Sequence, residues 1–271
     1  MMETIRIDTD ERGVTHLWLA RPDKHNALSA QMIRELTEAA RILGADPAVR
    51  VVVLAAEGRS FCAGGDLGWM QDQMRADAQT RRAGARELAM MLHALNSLPK
   101  PLIGRVQGNA FGGGVGMISV CDVAIAVPGA RFGLTETRLG LIPATIGPYV
   151  LARMGEDKAR RVFMSARLFG ADEAVRLNLL ADIADAATLD AAIEAEVAPY
   201  LFCAPGAVAA AKQLARRLGP AIGEAEIEAS IDALVAVWEG SEAPEGIAAF
   251  LKSASQAGRL ARSRPILVAG P

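Results

Sequence analysis

The sequence has no surplus of either charge: 29 basic residues face 31 acidic ones, a formal net charge of −2. No global basic field exists to attract a phosphate backbone, so nucleic-acid binding is not expected. Lysine is scarce, five against 24 arginines, and single arginines are therefore poor markers of phosphate binding. Cysteine is scarcer still. Cys62, Cys121 and Cys203 are odd in number and widely spaced, which excludes a disulfide framework and a Cys-x-x-Cys metal site and suits a reducing cytoplasm. His16, His25 and His93 lie apart without ligand spacing, so no metal is expected. Nowhere do 18 apolar residues run together, and Met1 to Asp8 lacks the basic-then-apolar order of a signal peptide. The expectation is a soluble, unexported protein with no membrane partner. What is present is ordinary globular composition, 51% hydrophobic and 22% charged over 271 residues, enough for one large domain or two small ones.

Alternation organises the chain. Ile5 and Ile7, then Val14, His16, Trp18 and Ala20, read as a half-exposed hairpin turning at Glu11-Arg12-Gly13. Ser29 is placed to cap a helix whose Met32, Ile33, Leu36, Ala40 and Leu43 share a face. Val51 to Ala56 is wholly apolar, the pattern of a strand covered on both sides. A polar helix follows with Leu88, Met91, Leu92 and Leu95 on one side, then strands at Pro101 to Val106 and Val123 to Val127. Strand and helix alternate, which makes the class α/β. From Ala204 the pattern is helical only, carrying Val208, Ala211, Leu214 and Leu218, then Ile227, Ile231, Leu234 and Val237. This sets a boundary between residues 1–203 and 204–271, and the tail's many apolar faces predict packing against another subunit.

Two glycine-rich turns each follow a buried-strand pattern: Phe61-Cys62-Ala63-Gly64-Gly65-Asp66-Leu67, and Gly108-Asn109-Ala110-Phe111-Gly112-Gly113-Gly114-Val115-Gly116. Consecutive glycines let a ligand approach backbone N–H groups, which suits an oxyanion. The dinucleotide pattern G-x-G-x-x-G fails at Met117 and no G-x-x-x-x-G-K-S/T loop occurs, so nicotinamide and nucleoside triphosphate roles are disfavoured. A third segment, Ala130 to Pro143, reads Ala-Arg-Phe-Gly-Leu-Thr-Glu-Thr-Arg-Leu-Gly-Leu-Ile-Pro.

These segments, with Arg21-Pro22 to Ala27-Leu28 and Cys121-Asp122, resemble in order and spacing the enoyl-CoA hydratase/isomerase (crotonase) family, over about residues 10 to 200. Ser241-Glu242-x-x-Glu245-Gly246-x-x-Ala249-Phe250 extends the likeness into the tail. The resemblance implies a spiral of repeated ββα units with a helical C-terminal region that builds homotrimers or hexamers. It implies an acyl-CoA thioester as substrate, with CoA entering as part of that substrate and no separate cofactor. By position, the amides of Gly65 and Gly113 become the oxyanion hole and Glu136 the acid/base. Lys24 and Ala27, and the turn through Ala63, Gly64, Asp66 and Leu67, are implied to hold the CoA, with Thr135 and Leu139 beside the substrate.

The chain departs from the family's two-glutamate pattern, because Gly116 stands where the first carboxylate belongs. One carboxylate suffices in principle, taking a proton from water and returning it to the α-carbon; it equally serves isomerisation, moving a proton between α- and γ-carbons. The wording of Glu136 to Tyr149 and of Gly112 to Gly116 is similar to a branch associated with branched, carboxylated enoyl-CoAs such as methylglutaconyl-CoA or carboxygeranoyl-CoA. A hydratase is therefore expected, with an isomerase and a non-catalytic acyl-CoA binder as alternatives. Replacing a carboxylate by Gly116 is expected to open space and remove negative charge near the acyl chain. Asp66 and Asp122 suit capping, Trp69, Met70 and Met74 an acyl pocket, and Cys62 a packed thiol. The family's Phe-x-Glu-Lys-Arg is Phe250-Leu251-Lys252-Ser253-Ala254 here, leaving Lys252 or Arg259 to meet a CoA phosphate.

Overall fold

The computed structural model describes residues 2–262, with side chains through Lys252; the Arg259 side chain lies outside the described residues. A hairpin of β1 (Ile5–Thr9) and β2 (Val14–Leu19) leads through a one-turn 3-10 helix at Pro22–Lys24 into α1 (Ala30–Ala45). Ser29 caps α1 by accepting the Met32 amide at 3.2 Å. Three ββα turns follow. The first is β3 (Val51–Ala56) and β4 (Ser60–Cys62) with α2 (Leu67–Arg75) and α3 (Ala78–Asn96). The second is β5 (Leu102–Val106), β6 (Asn109–Phe111) and α4 (Gly113–Ser119). The third is β7 (Val123–Ala126), β8 (Arg131–Gly133), a 3-10 turn at Glu136–Leu139, α5 (Gly147–Met154) and α6 (Glu156–Phe163). The chain continues through β9 (Phe169–Gly170), α7 (Ala171–Arg176), β10 (Asp182–Ile183), α8 (Leu189–Leu201), α9 (Pro205–Leu218), α10 (Glu224–Trp238) and α11 (Glu242–Arg262).

Each turn sends its first strand to a six-stranded sheet, ordered β1-β2-β3-β5-β7-β10, and its second to a four-stranded sheet, β4-β6-β8-β9. Pairings are parallel except β1 with β2 and β8 with β9. The chain thus advances by one strand in both sheets per turn, which is the expected spiral. Because strand side chains alternate, β3 splits between two cores. Val52, Leu54 and Ala56 face the main core with α1 and α3, while Val51 and Val53 meet Leu189, Ile193 and Val197 of α8. Cover on both faces is why this run is entirely apolar.

The structure corrects the reading of β2. Its fully buried face carries Thr15, Leu17 and Leu19, opposite His16 and Trp18. Those two half-buried rings stack on each other at 5.6 Å, with Arg6 and Arg105 over Trp18. The tail folds back onto the spiral. Ile227 and Ile231 of α10 pack on Ala85 and Ala89 of α3, and Ala243 and Ile247 of α11 pack with Met70 and Leu141. No helix among the described residues is long and apolar enough to cross a membrane.

Candidate active site

The segment after β2 fixes the first glycine turn by backbone bonds. Leu28 donates to Gly64 O at 2.8 Å and accepts from Asp66 N–H at 3.0 Å, while Ala63 donates to His25 O at 3.0 Å. Buried Asn26 locks the segment, accepting from the Arg21 amide and donating to the Glu57 and Ser60 carbonyls. In such extended pairing, successive N–H groups alternate in direction. Gly64 and Asp66 therefore spend their groups on Leu28, and the Gly65 amide points the opposite way. Gly113 is the first residue of α4, where an N–H has no intrahelical acceptor. Among the described residues neither amide donates to a protein acceptor.

Glu136 faces these two donors across a close contact between the turns. Gly64 and Gly112 both have positive φ, +90° and +50°. A Cβ on Gly112 would stand 3.1 Å from Glu136 Oε1 and 3.8 Å from Gly64 Cα, so glycine is required there by conformation and by space. Glu136 Oε2 is sealed from solvent and has no hydrogen-bond partner. Burial pushes its carboxyl up to about 7, against the opposing pull of its own amide and that of Thr135. A carboxylate poised near neutrality, beside two unspent amides, is equipped to take and return a proton while negative charge collects on a neighbouring oxygen.

A cavity of about 160 Å³ joins these groups. Leu28, Ala63, Gly64, Gly65, Gly112, Gly113, Thr135, Glu136 and Leu139 all line it, as do Trp69 and Met70; Met74 packs in the adjacent apolar cluster. Lys24 is exposed on its 3-10 turn, Ala27 is buried, and Leu67 is 43% exposed; none of the three borders the cavity. Asp66 caps α2 by accepting the Gly68 and Trp69 amides and pairs with Arg21 at 2.9 Å. Asp122 accepts from the Leu102 amide and from Lys212, each at 2.7 Å. Cys62 is fully buried, which pushes its thiol up to about 12, a packed and unreactive group.

The space expected to open at Gly116 is filled. A Cβ there would stand 2.5 Å from Ile146 Cγ2 and 3.0 Å from its Cβ, and it is Ile146 that reaches the cavity. Gly116 removes a charge without adding room. Sequence reasoning also missed Gln73, Arg81, Thr145, Trp238 and Phe250 in the cavity wall. Phe250 lies in the tail segment that resembles the family, and no local pattern marks the other four, which arrive on α2, α3, α10 and the loop before α5. Among the described residues no group of three or more His, Cys, Asp or Glu is placed to hold a metal ion.

The family model described as enoyl-CoA hydratase/isomerase matches residues 9–256. An enoyl-CoA hydratase of Alternaria alternata is 33% identical over 241 residues, covering 89% of this chain and 79% of that protein. A crotonyl-CoA hydratase of Syntrophomonas wolfei is 28% identical over 92% of this chain and 95% of its own. The crystal structure of an enoyl-CoA hydratase from Shewanella pealeana superposes with a TM-score of 0.78 at 36% identity, over 93% of this chain and 94% of that one.

Proposed function

The chain belongs to the enoyl-CoA hydratase/isomerase family, and on that footing we propose that it is a hydro-lyase, an enoyl-CoA hydratase working with one carboxylate. The observation that carries this is Glu136: a buried, unpartnered carboxyl oxygen, raised to about 7, in the cavity that the Gly65 and Gly113 amides line.

Binding sets the thioester oxygen between the two amides. Ionised Glu136 takes a proton from water as its oxygen bonds to the β-carbon; the π electrons move toward the α-carbon and the thioester oxygen, forming an enolate. The amides of Gly65 and Gly113 stabilise that oxygen, each worth about 3 kcal/mol in chemistry of this kind. Glu136 then delivers its proton to the α-carbon, the enolate collapses to the thioester, and the carboxylate is restored. The addition is redox-neutral and CoA arrives with the substrate.

The finer reading is a branched or carboxylated acyl group, such as methylglutaconyl. It is supported by the likeness of Gly112 to Gly116 and Glu136 to Tyr149 to that branch, and by Gly116 leaving Glu136 as the sole acid lining the cavity among the described residues. The exposed apolar residues of α9 support association with another copy of the chain; the homotrimer or dimer of trimers rests on the family likeness, and the cytoplasmic setting on the few, widely spaced cysteines.

The test is incubation with crotonyl-CoA, methylglutaconyl-CoA and a 3-enoyl-CoA in heavy-oxygen water, with products weighed. One labelled water added, and abolished in Glu136→Gln, is the expected result. A mass-neutral double-bond shift would make the protein an isomerase, and binding without turnover would make it an acyl-CoA binder.

A further inference from the structure

Arg81 lines the acyl cavity from the first turn of α3. Its Nε donates to Gln73 O at 3.0 Å and Nη2 to Ala76 O at 2.8 Å, which holds the guanidinium over the end of α2. The Trp238 ring lies 5.6 Å from its Cζ. A guanidinium has five N–H donors, so these two bonds leave the Nη1 pair and one Nη2 hydrogen without a hydrogen-bond acceptor among the described residues. Its neighbours differ. Arg82 pairs with Glu228 and Asp232, and Arg86 with Glu224 and Glu228. Arg81 forms no salt bridge among the described residues: exposed Asp77, one turn earlier, feels its charge but is spent capping α3 at the Thr80 amide, and the other walls of the cavity are mainly Trp69, Met70, Leu139, Leu141, Ile142 and Trp238.

Glu136 does not pair with Arg81 either. Its carboxyl lies against Gly112 at the start of α4, whereas the Arg81 guanidinium is held on the Gln73 and Ala76 carbonyls beside Trp238, at the other end of the cavity. One end sits between α4 and the turn after β8, and the other between α2, α3 and α10. A chain whose thioester is at the first end directs its tail to the second.

We propose that Arg81 reads a carboxylate at the far end of the acyl chain, so that the favoured substrate class is the CoA mono-thioester of a short unsaturated dicarboxylic acid. This rests on the acyl-CoA reading of the site, which fixes the end that carries the thioester. In apolar surroundings a planar fork beside a carboxylate forms charge-assisted bonds that a neutral chain cannot replace. A neutral tail offers no acceptor to the guanidinium hydrogens that the two backbone carbonyls leave over.

The competing role for Arg81 is capping alone, because the Gln73 and Ala76 carbonyls end α2 and a cation suits that end. Calorimetric titration of the full chain with two saturated thioesters of equal length, glutaryl-CoA and pentanoyl-CoA, separates the roles. Wild type should bind glutaryl-CoA at least tenfold more tightly. Arg81→Gln should lose that preference while binding pentanoyl-CoA within twofold of wild type, and Arg81→Lys should recover part of it. Equal binding of both ligands by wild type, or an equal loss of both in Arg81→Gln, overturns the proposal. The wild-type comparison, repeated with the methyl ester of glutaryl-CoA, decides the matter even if the variant fails to fold. Neither ligand has a double bond, so the result is independent of turnover. A protein that selects glutaryl-CoA through Arg81 yet adds no water would refute the hydratase reading alone.

Discussion

At Glu136 the burial that raises the carboxyl to about 7 acts on rate and stability with opposite signs. The base form starts the reaction, so kcat/KM should rise with pH and level off above about 7. Glu136→Gln should lower kcat by about 10²–10⁴, the range for a positioned acid/base. Stability runs the other way. The unfolded carboxyl ionises near its ordinary 4.5, and the folded one resists until about 7, so the folded state loses ground across that window as pH rises. Wild type and Glu136→Gln should melt alike below about pH 4.5. Above pH 7 the variant should be more stable by an amount on the order of 3 kcal/mol, at 1.36 kcal/mol per pH unit. Paired melts at pH 4 and 8 check this, and a gap that closes toward high pH would refute it. Gly113 and Gly114 separate chemistry from folding in the same way. A Cβ on Gly113 meets the end of the Leu28 side chain at 2.5 Å, which yields, while one on Gly114 meets the Cys62 carbonyl at 2.6 Å, which does not. Gly113→Ala should stay folded and lose about 10²-fold in kcat, the cost of a misplaced donor. Gly114→Ala should chiefly lose soluble protein. The proposed site residues were legible because Gly65 and Gly113 lie in local runs of glycine and Glu136 lies in a segment whose wording resembles the family's. Arg81 and Ile146 were not, since only the packing of α3 and of the loop before α5 brings them to the cavity.

The element that links substrate binding to stability is α2, which carries Trp69, Met70 and Gln73 into the cavity wall and is anchored at its start by Asp66. Burial alone would raise the Asp66 carboxyl, but Arg21 and the Trp69 and Gly68 amides outweigh it and hold it below its ordinary value. Its contribution is therefore present above about pH 3.8 and lost as pH falls through the lowered pKa. Asp66→Asn retains an N-cap acceptor and gives up only the half-buried pair, whereas Asp66→Ala gives up both. Urea unfolding should show Asp66→Ala losing about 1–2 kcal/mol more than Asp66→Asn, the usual worth of a cap. KM should rise several-fold in the alanine variant as the wall loosens, with kcat nearly unchanged. A collapse of kcat in Asp66→Asn would mean that Asp66 acts in the chemistry. Elements of this kind were readable wherever one rule decided them, as with Ser29 before α1 or the apolar run of β3. The hydrophobic face of β2 was misread because its half-exposed side carries the large rings of His16 and Trp18, while the buried side includes the polar Thr15 beside Leu17 and Leu19. The groups over the half-exposed side, Arg6 and Arg105 on Trp18, come from β1 and β5 and are a property of the topology, not of the strand.

Across the whole molecule, α9 is the helix whose apolar residues find no seat. Leu214 and Leu218 are 55% and 77% exposed, and Phe202 just before it is 92% exposed. Polar ties, not apolar packing, hold it to the spiral: Lys212 Nζ donates to Lys100 O at 2.9 Å and to Asp122 Oδ2 at 2.7 Å, and Arg50 Nη2 to Cys203 O at 2.8 Å. Beneath it runs an open cleft of about 1200 Å³ bordered by Tyr149, Arg153 and Arg216. Apolar side chains left in water on one helix face are what a surface for another chain would show, which is the expectation that the tail's helical pattern raised. Sedimentation velocity should therefore give wild type three or six times the 28.5 kDa mass of the chain. The double substitution Leu214→Asp with Leu218→Asp should shift it to smaller species while far-ultraviolet circular dichroism stays native, because neither side chain belongs to the core of the spiral. Activity should fall with assembly through KM more than through kcat. The proposed catalytic trio of Glu136, Gly65 and Gly113 lies wholly within the spiral, whereas Leu234, Trp238 and Phe250 of the cavity wall follow α9 in the chain. A wild-type protein that sediments as a single chain, or a double variant that keeps its mass, would exclude α9 as the assembly surface.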